Sequence, residues 1–112
     1  MPAKDPRLYL IHIRDCCHRI LEYTRGIEST WASVPVIQDA VCRNLEIAGE
    51  AARRFDEPFR AAHPEIPWRS MTDVRNILVH GYDRVSSEIL VGIVRQDIPP
   101  LLASVKRILG EA

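Results

Sequence analysis

The sequence has few cysteines, no excess of charge of either sign and no long uninterrupted apolar run. Its three cysteines, Cys16, Cys17 and Cys42, are odd in number and show no CxxC spacing. Two neighbouring residues of a helix point in different directions, so Cys16 and Cys17 are poorly placed to pair with each other. The pattern argues against a disulfide framework and favours the reducing cytoplasm, with the cysteines acting as small core hydrophobes.

The charges cancel, because 15 basic residues face 15 acidic ones and the formal net charge is +0 at pH 7. The chain therefore lacks the overall positive field of many general nucleic-acid binders, and a nucleic-acid role requires a local basic cleft. The N-terminus lacks the basic-then-apolar pattern of a secretory signal, and no apolar run approaches the roughly 20 residues that span a bilayer. We expect a soluble cytoplasmic protein with no membrane partner.

What remains is an ordinary globular composition. Hydrophobic residues make up 46% and charged residues 27% of the 112 residues, which argues against a largely disordered chain. A chain of this length fits one domain, so we expect a single domain over residues 1–112.

Apolar residues recur at spacings of three and four, whereas the sustained alternation typical of strands is absent. Asp5 precedes a proline and predicts a first helix over about 6–25, with Gly26 as its stop. Pro35 begins a second helix of about five turns. A short third helix is predicted over 57–62, before a break that contains two prolines.

A fourth helix is predicted over about 69–80, with Gly81 as the left-handed residue that terminates it. Its inward-facing residues are predicted to be Met71, Val74, Ile77 and Leu78. Ser86 or Ser87 caps the last helix, which continues through Pro99-Pro100 either as one helix kinked near Asp97 or as two almost collinear helices. The sequence thus predicts an all-α antiparallel bundle of four to five helices with a kinked last helix.

Three polar residues, Arg75, His80 and Tyr82, interrupt the apolar end of the fourth helix. Arginine is a permanent cation with a forked donor that suits phosphate oxygens, and histidine gives or takes a proton near neutral pH. Five positions separate Arg75 from His80, about 140° on an ideal helix, so they share a face only if the helix ends. Asn76, one turn before His80, can hydrogen-bond to it or to a ligand.

The same residues also have structural interpretations, and spacing alone leaves both open. A histidine in the last turn interacts favourably with the helix dipole, and Arg75 can pair with a carboxylate such as Glu46 or Glu50. Considered by itself, Tyr82 is typical of a tyrosine whose ring packs against apolar neighbours and whose hydroxyl contacts solvent.

Structural roles are favoured for the other candidates. Trp68 is predicted to be a packing anchor, with base stacking as the alternative. His12, His18 and His63 share no metal-ligand spacing. We expect neither a metal nor another cofactor. Three cations are predicted to be solvated or to border an RNA groove: Arg53, Arg54 and Arg69.

Four ordered blocks of sequence stand out together. They are residues 43–52 (RNLEIAGEAA), residues 63–68 (HPEIPW), the residues Arg75-Asn76 with His80-Gly81-Tyr82, and residues 97–101 (DIPPL). These blocks resemble the HepT family of HEPN-domain toxins. The blocks keep the family's order and spacing, and with the connecting helices the resemblance covers nearly the whole chain. The residue after the motif histidine is often polar in the family, whereas here it is Gly81.

The resemblance implies a dimeric HEPN bundle that acts as a metal-independent endoribonuclease toxin of a type VII-like toxin–antitoxin module. The family pattern Arg-x4-His-x-Tyr maps onto Arg75, His80 and Tyr82. Arg75 would stabilise phosphate charge and His80 would act as general acid or base on an mRNA or tRNA substrate. Asn76 would position His80 or the substrate, and Glu50 is either an ion-pair partner or an orienting residue for Arg75.

The resemblance also implies a minimal nucleotidyltransferase (MntA-like) antitoxin, which would silence the toxin by transferring AMP to Tyr82. The alternative is a non-catalytic helical binding module that docks such a nucleotidyltransferase. The neutral net charge is compatible with protein binding.

Overall fold

Helices account for the regular structure of the protein. The computed structural model describes residues 5–27, 30–81 and 85–111, and these ranges contain no β-strand. In chain order the elements are α1 (Pro6–Thr24), a 3₁₀ helix (Thr30–Ser33), α2 (Pro35–Ala52), α3 (Glu57–Ala62), α4 (Trp68–Gly81), α5 (Ser87–Gly92), a π-helical turn (Ile93–Asp97) and α6 (Ile98–Leu109). The predicted all-α bundle is confirmed. No helix in these ranges is both long and apolar enough to cross a membrane.

The helices begin and end close to their predicted boundaries because the expected capping residues are in place. The side chain of Asp5 accepts a hydrogen bond of 2.9 Å from the backbone N–H of Arg7. The hydroxyl of Ser86 accepts one of 3.2 Å from the N–H of Ile89. These bonds satisfy N–H groups that the first turn of a helix leaves without partners. Gly26, with a φ of 72°, takes the left-handed conformation just beyond α1.

The helices α1 and α2 form the centre of the fold, since α1 packs against both α2 and α6 while α2 packs against α4. Cys16 and Cys17 are fully buried between them, as predicted for small core hydrophobes. Burial raises the pKa of Cys17 to about 12, so this thiol stays protonated and unreactive. The core joins apolar residues of every main helix, including Ile13, Ile20, Val41, Leu45, Met71, Leu78, Leu90, Val94, Ile98, Leu101 and Val105.

Trp68 connects α4 to the end of α2, as predicted for a packing anchor. Its ring lies 4.8 Å from that of Phe55, between centroids. Its indole N–H donates a 2.9 Å hydrogen bond to the backbone carbonyl of His63. The start of α4 is thereby held by both an apolar contact and a satisfied donor.

The last helical segment runs without interruption from α5 through the π-helical turn into α6. The kink predicted near Asp97 coincides with the π-helical turn, in which the N–H of Ile98 bonds to the carbonyl of Ile93. Pro99 and Pro100 occupy the first turn of α6, directly after the π-helical turn, and because neither has a backbone N–H, the ladder of helical hydrogen bonds loses two donors at this point.

The helix α4 ends at Gly81, one residue beyond its predicted end of about 80, and one prediction about its buried face is wrong. Ile77 was expected inside but is 46% exposed, because α4 packs against α2 along one side and leaves the outer side uncovered. Met71 and Leu78 are buried as predicted.

The close approach of α4 to α2 depends on Gly49. A Cβ atom at this position would lie 2.7 Å from the backbone carbonyl of Met71 and would overlap the Cβ of Arg75. Glycine therefore allows the Arg75 side chain to leave α4 directly against the surface of α2, beside Glu50.

We expect Gly49→Ala to lower the free energy of unfolding by about 1–3 kcal/mol, the usual cost of overpacking, measured by urea denaturation. The matched control is Gly92→Ala, since a Cβ at Gly92 meets no atom within 4 Å. That substitution should be stabilising by about 0.5–1 kcal/mol. A Gly49→Ala protein as stable as the wild type would show that the two helices do not require glycine here.

Candidate active site

Arg75 is the centre of a polar cluster between α2 and α4. Its Nε lies 3.2 Å from Oε2 of Glu50, and its side chain is 22% exposed. Its Nη1 donates a 2.9 Å hydrogen bond to Oδ1 of Asn76. Of the two predicted carboxylate partners, Glu50 is the one in contact, whereas Glu46 pairs with Arg43 at 3.3 Å.

Glu50 is shared among several cations. Besides Arg75, it lies 3.2 Å from Arg53 and 3.5 Å from Arg54. One carboxylate thus faces three guanidinium groups, so each cation is only partly neutralised. The carboxylate side chain is 41% exposed, which leaves each pair weak and open to exchange with another anion.

A cavity of about 570 Å³ opens beside this cluster. Its volume lies in the range of about 300–1,000 Å³ that is typical of ligand sites. The lining residues come from α1, α2, the turn after α2, and α4: Tyr9, His12, Arg43, Glu46, Ile47, Glu50, Ala51, Arg54, Arg75 and Val79.

The cavity has a local positive balance, although the chain as a whole is neutral. Its lining residues include three arginines, Arg43, Arg54 and Arg75, against two glutamates, Glu46 and Glu50. This excess of one positive charge, supplied by forked donors, suits a phosphate group. The local basic cleft that a nucleic-acid role requires is therefore available.

The three cations that were predicted to be solvated or to border an RNA groove lie in two different places. Arg54 lines the cavity, and Arg53 is held nearby through its pairing with Glu50. Arg69 instead lines a different cavity, together with residues of α3.

His80 lies apart from Arg75 on α4. It is exposed and is not among the residues that line the cavity. Arg75 and Val79 are four positions apart and share the cavity side of the helix, whereas His80 is about 140° from Arg75 because the helix continues through Gly81. Asn76 bonds to Arg75, and its predicted bond to His80 is not among the hydrogen bonds of the described residues. Tyr82 lies outside the described residues.

His12 lines this cavity, although the sequence favoured a structural role for it. Its imidazole packs edge-on against Tyr9, with centroids 5.9 Å apart and an interplanar angle of 87°. Tyr9 and His12 are three positions apart, so the sequence alone places them on one face of α1. Their meeting with α4 depends on tertiary packing, for which the sequence carries no local signal.

The described residues contain no group of three or more His, Cys, Asp or Glu side chains placed to hold a metal ion. The structure thus defines a helical bundle whose candidate site is a positively biased cavity built around an arginine of α4. The model of the family described as ribonuclease HepT-like matches residues 13–108. The chain belongs to this HepT-like family.

Its relatives carry ribonuclease names. A protein of Methanocaldococcus jannaschii named "Putative RNase" is 34% identical over 107 residues, which is 95% of this chain and 98% of the relative. A protein of the same name from Caldanaerobacter subterraneus is 36% identical over 107 residues, 95% and 96% of the two chains. "Probable ribonuclease HepT" of Thermococcus cleftensis is 40% identical over 94 residues, 83% and 86% of the two chains. No solved structure gives a significant match to the chain.

Proposed function

We propose that this protein is a metal-independent endoribonuclease toxin of a type VII-like toxin–antitoxin module, acting in the cytoplasm as a single HEPN domain over residues 1–112. Membership of the HepT-like family and the ribonuclease names of its relatives support this proposal. The observation that carries it is the placement of Arg75 in a cavity with excess positive charge, where a phosphate can replace its partner Glu50.

The proposed chemistry uses the nucleophile that RNA itself carries. The 2′-oxygen attacks the adjacent phosphorus and gives up its proton, while the bond from phosphorus to the 5′-oxygen breaks and that oxygen gains a proton. The products are a 2′,3′-cyclic phosphate and a 5′-hydroxyl. Arg75 stabilises the charge of the phosphorane and His80 transfers a proton as general acid or base. Glu50 and Asn76 hold the guanidinium of Arg75 in place.

The proposed partners are an mRNA or tRNA substrate and a minimal nucleotidyltransferase antitoxin of the MntA-like type. The antitoxin would transfer AMP to Tyr82, which follows α4 directly in the sequence. Adenylate carries a phosphate charge that would compete with RNA for the arginines and repel its backbone.

A homodimer is the proposed assembly. Ile77 on the outer side of α4 is 46% exposed, and it lies three positions before His80 on the same helix face. Pairing of two copies along this side would bury Ile77 and bring His80 against the partner subunit, which supports a site shared between subunits.

We expect the purified protein to cleave RNA in the presence of EDTA and to leave 2′,3′-cyclic phosphate ends. His80→Ala should lower kcat/KM by about 10²–10⁴-fold, the contribution of a positioned proton-transfer group. Arg75→Ala should lower it by about 10²–10³-fold through lost charge stabilisation. Glu50→Gln and Asn76→Ala, which remove partners of Arg75, should have smaller effects. The measurement is cleavage of end-labelled RNA.

The matched control is Arg25→Ala, because Arg25 is an exposed arginine paired only locally with Glu22; this variant should cut like the wild type. A His80→Ala protein with wild-type activity would contradict the catalytic assignment. If no preparation cuts RNA yet the protein binds its nucleotidyltransferase, the non-catalytic docking module is the better description.

We expect a dimer in sedimentation velocity at micromolar concentration. Ile77→Glu should shift the protein to monomer, because a buried interfacial carboxylate is costly to desolvate. Ile89→Glu is the control, since Ile89 is 53% exposed on α5 and should leave the dimer intact. A monomeric wild type would exclude the shared site.

We expect incubation with the nucleotidyltransferase and ATP to raise the intact mass of the protein in steps of one adenylate, with loss of RNA cleavage. Tyr82→Phe removes the acceptor hydroxyl and should abolish the mass change. Tyr23→Phe, which removes the hydroxyl of an exposed tyrosine on α1, should be modified normally. An equal mass increase in Tyr82→Phe would place the acceptor elsewhere.

A further inference from the structure

His12 reaches the candidate site from a different helix than Arg75. It belongs to α1, is exposed, and lines the 570 Å³ cavity together with Arg75 of α4. The ring of Tyr9 packs against it edge-on and in turn lies 6.0 Å, between centroids, from the buried ring of Phe55. A chain of ring contacts anchored in the core therefore positions a solvent-accessible imidazole in the cavity.

A second cavity of about 350 Å³ is also lined by His12. Both cavities are lined by His12 and Ile47, so they adjoin along the groove between α1 and α2. The second cavity has a polar wall in which Oδ1 of Asn44 accepts a 3.2 Å hydrogen bond from Arg19. Each volume is within the range of ligand sites, so a strand laid along the groove has room for one nucleotide on either side of His12.

Cleavage by the 2′-hydroxyl needs two proton transfers at one phosphate. One group takes the proton of the 2′-oxygen as its bond to phosphorus forms, and another protonates the 5′-oxygen as its bond to phosphorus breaks. A single histidine cannot perform both in one step. His80 lies about 140° around α4 from Arg75 and outside the cavity lining, which leaves a proton-transfer position beside Arg75 to be filled.

We propose that His12 is a catalytic residue of the same reaction. It performs the proton transfer that His80 does not, acting on the phosphate that Arg75 binds. This proposal rests on the proposed ribonuclease function.

The test compares His12→Gln with His18→Gln over a range of pH. His18 is also an exposed histidine of α1 but lines neither cavity, so its variant should match the wild type. His12→Gln should lower kcat/KM by about 10²–10⁴-fold and remove one limb of the bell-shaped pH profile. Thermal melting of both variants, which change exposed side chains, should show that the fold is intact.

A second substrate distinguishes whether His12 acts as the general acid or as the general base. When sulfur replaces the 5′-oxygen at the cleavage site, the leaving group is a thiolate that needs no proton, since thiols have a pKa of about 8.5. If His12 is the acid, His12→Gln should cut this substrate at close to the wild-type rate. If His12 is the base, the sulfur should instead restore His80→Gln. Rescue of His12→Gln supports the proposal directly, and rescue of His80→Gln supports it when His12→Gln has also lost the limb of the pH profile that belongs to the base.

Three results would overturn the inference. They are wild-type kinetics for His12→Gln, a slower His12→Gln enzyme with an unchanged pH profile, and a failure of the sulfur substrate to rescue either variant. If the wild type cuts RNA and His80→Ala does not, each of these results leaves the proposed ribonuclease function intact. A wild type that cuts no RNA would remove both.

Discussion

The contact between Gly49 of α2 and Arg75 of α4 is the constraint on which the site depends. Because no Cβ separates the helices at this point, the base of the Arg75 side chain rests on the backbone of α2. The guanidinium then lies beside Glu50, the next residue of α2, at 3.2 Å. A larger residue at position 49 would move the helices apart and carry the cation away from the cavity. The close packing of α4 on α2 and the position of the Arg75 guanidinium therefore both depend on Gly49.

The ion pairs around Glu50 orient the site more than they stabilise the fold. Its carboxylate is 41% exposed, and pairs of this kind contribute about 0–1 kcal/mol. Because the pairing is weak, another anion can take over a guanidinium without a large loss. Glu50 also keeps the side chains of Arg54 and Arg75 extended toward the same cavity before a ligand arrives, which reduces the entropy lost on binding.

The sequence predicted the helices well because their signals are local. Caps such as Asp5 and Ser86 and the three-and-four spacing of apolar residues depend on the first turn and on one face of each helix. The exposure of Ile77 was mispredicted for a different reason: periodicity indicates an apolar side but not whether another element covers it.

The site was predictable only in part, because its assembly depends on the tertiary packing of the helices. The pairing of Arg75 with Glu50 was one of two options that the sequence offered, and only the approach of α4 to α2 selects it. The roles of Arg75 and His80 remain predictions that came from the family resemblance. No pattern in α1 relates His12 to Arg75, since the two line one cavity only because α1 and α4 both pack against α2.

The spacing of the motif on a regular helix has a consequence for any site built from it. Since α4 remains helical through Gly81, Arg75 and His80 point in directions about 140° apart. Arg75 faces α1 and α2 beside the cavity, whereas His80 does not line it. In the proposed reaction the two groups of α4 therefore approach the phosphate from different directions, and the second proton transfer takes a side chain from another element. Within the subunit α1 offers His12, and across the uncovered side of α4 a second subunit would offer its own surface. A motif that directs its two groups to different sides of a helix is suited to a site assembled from several helices.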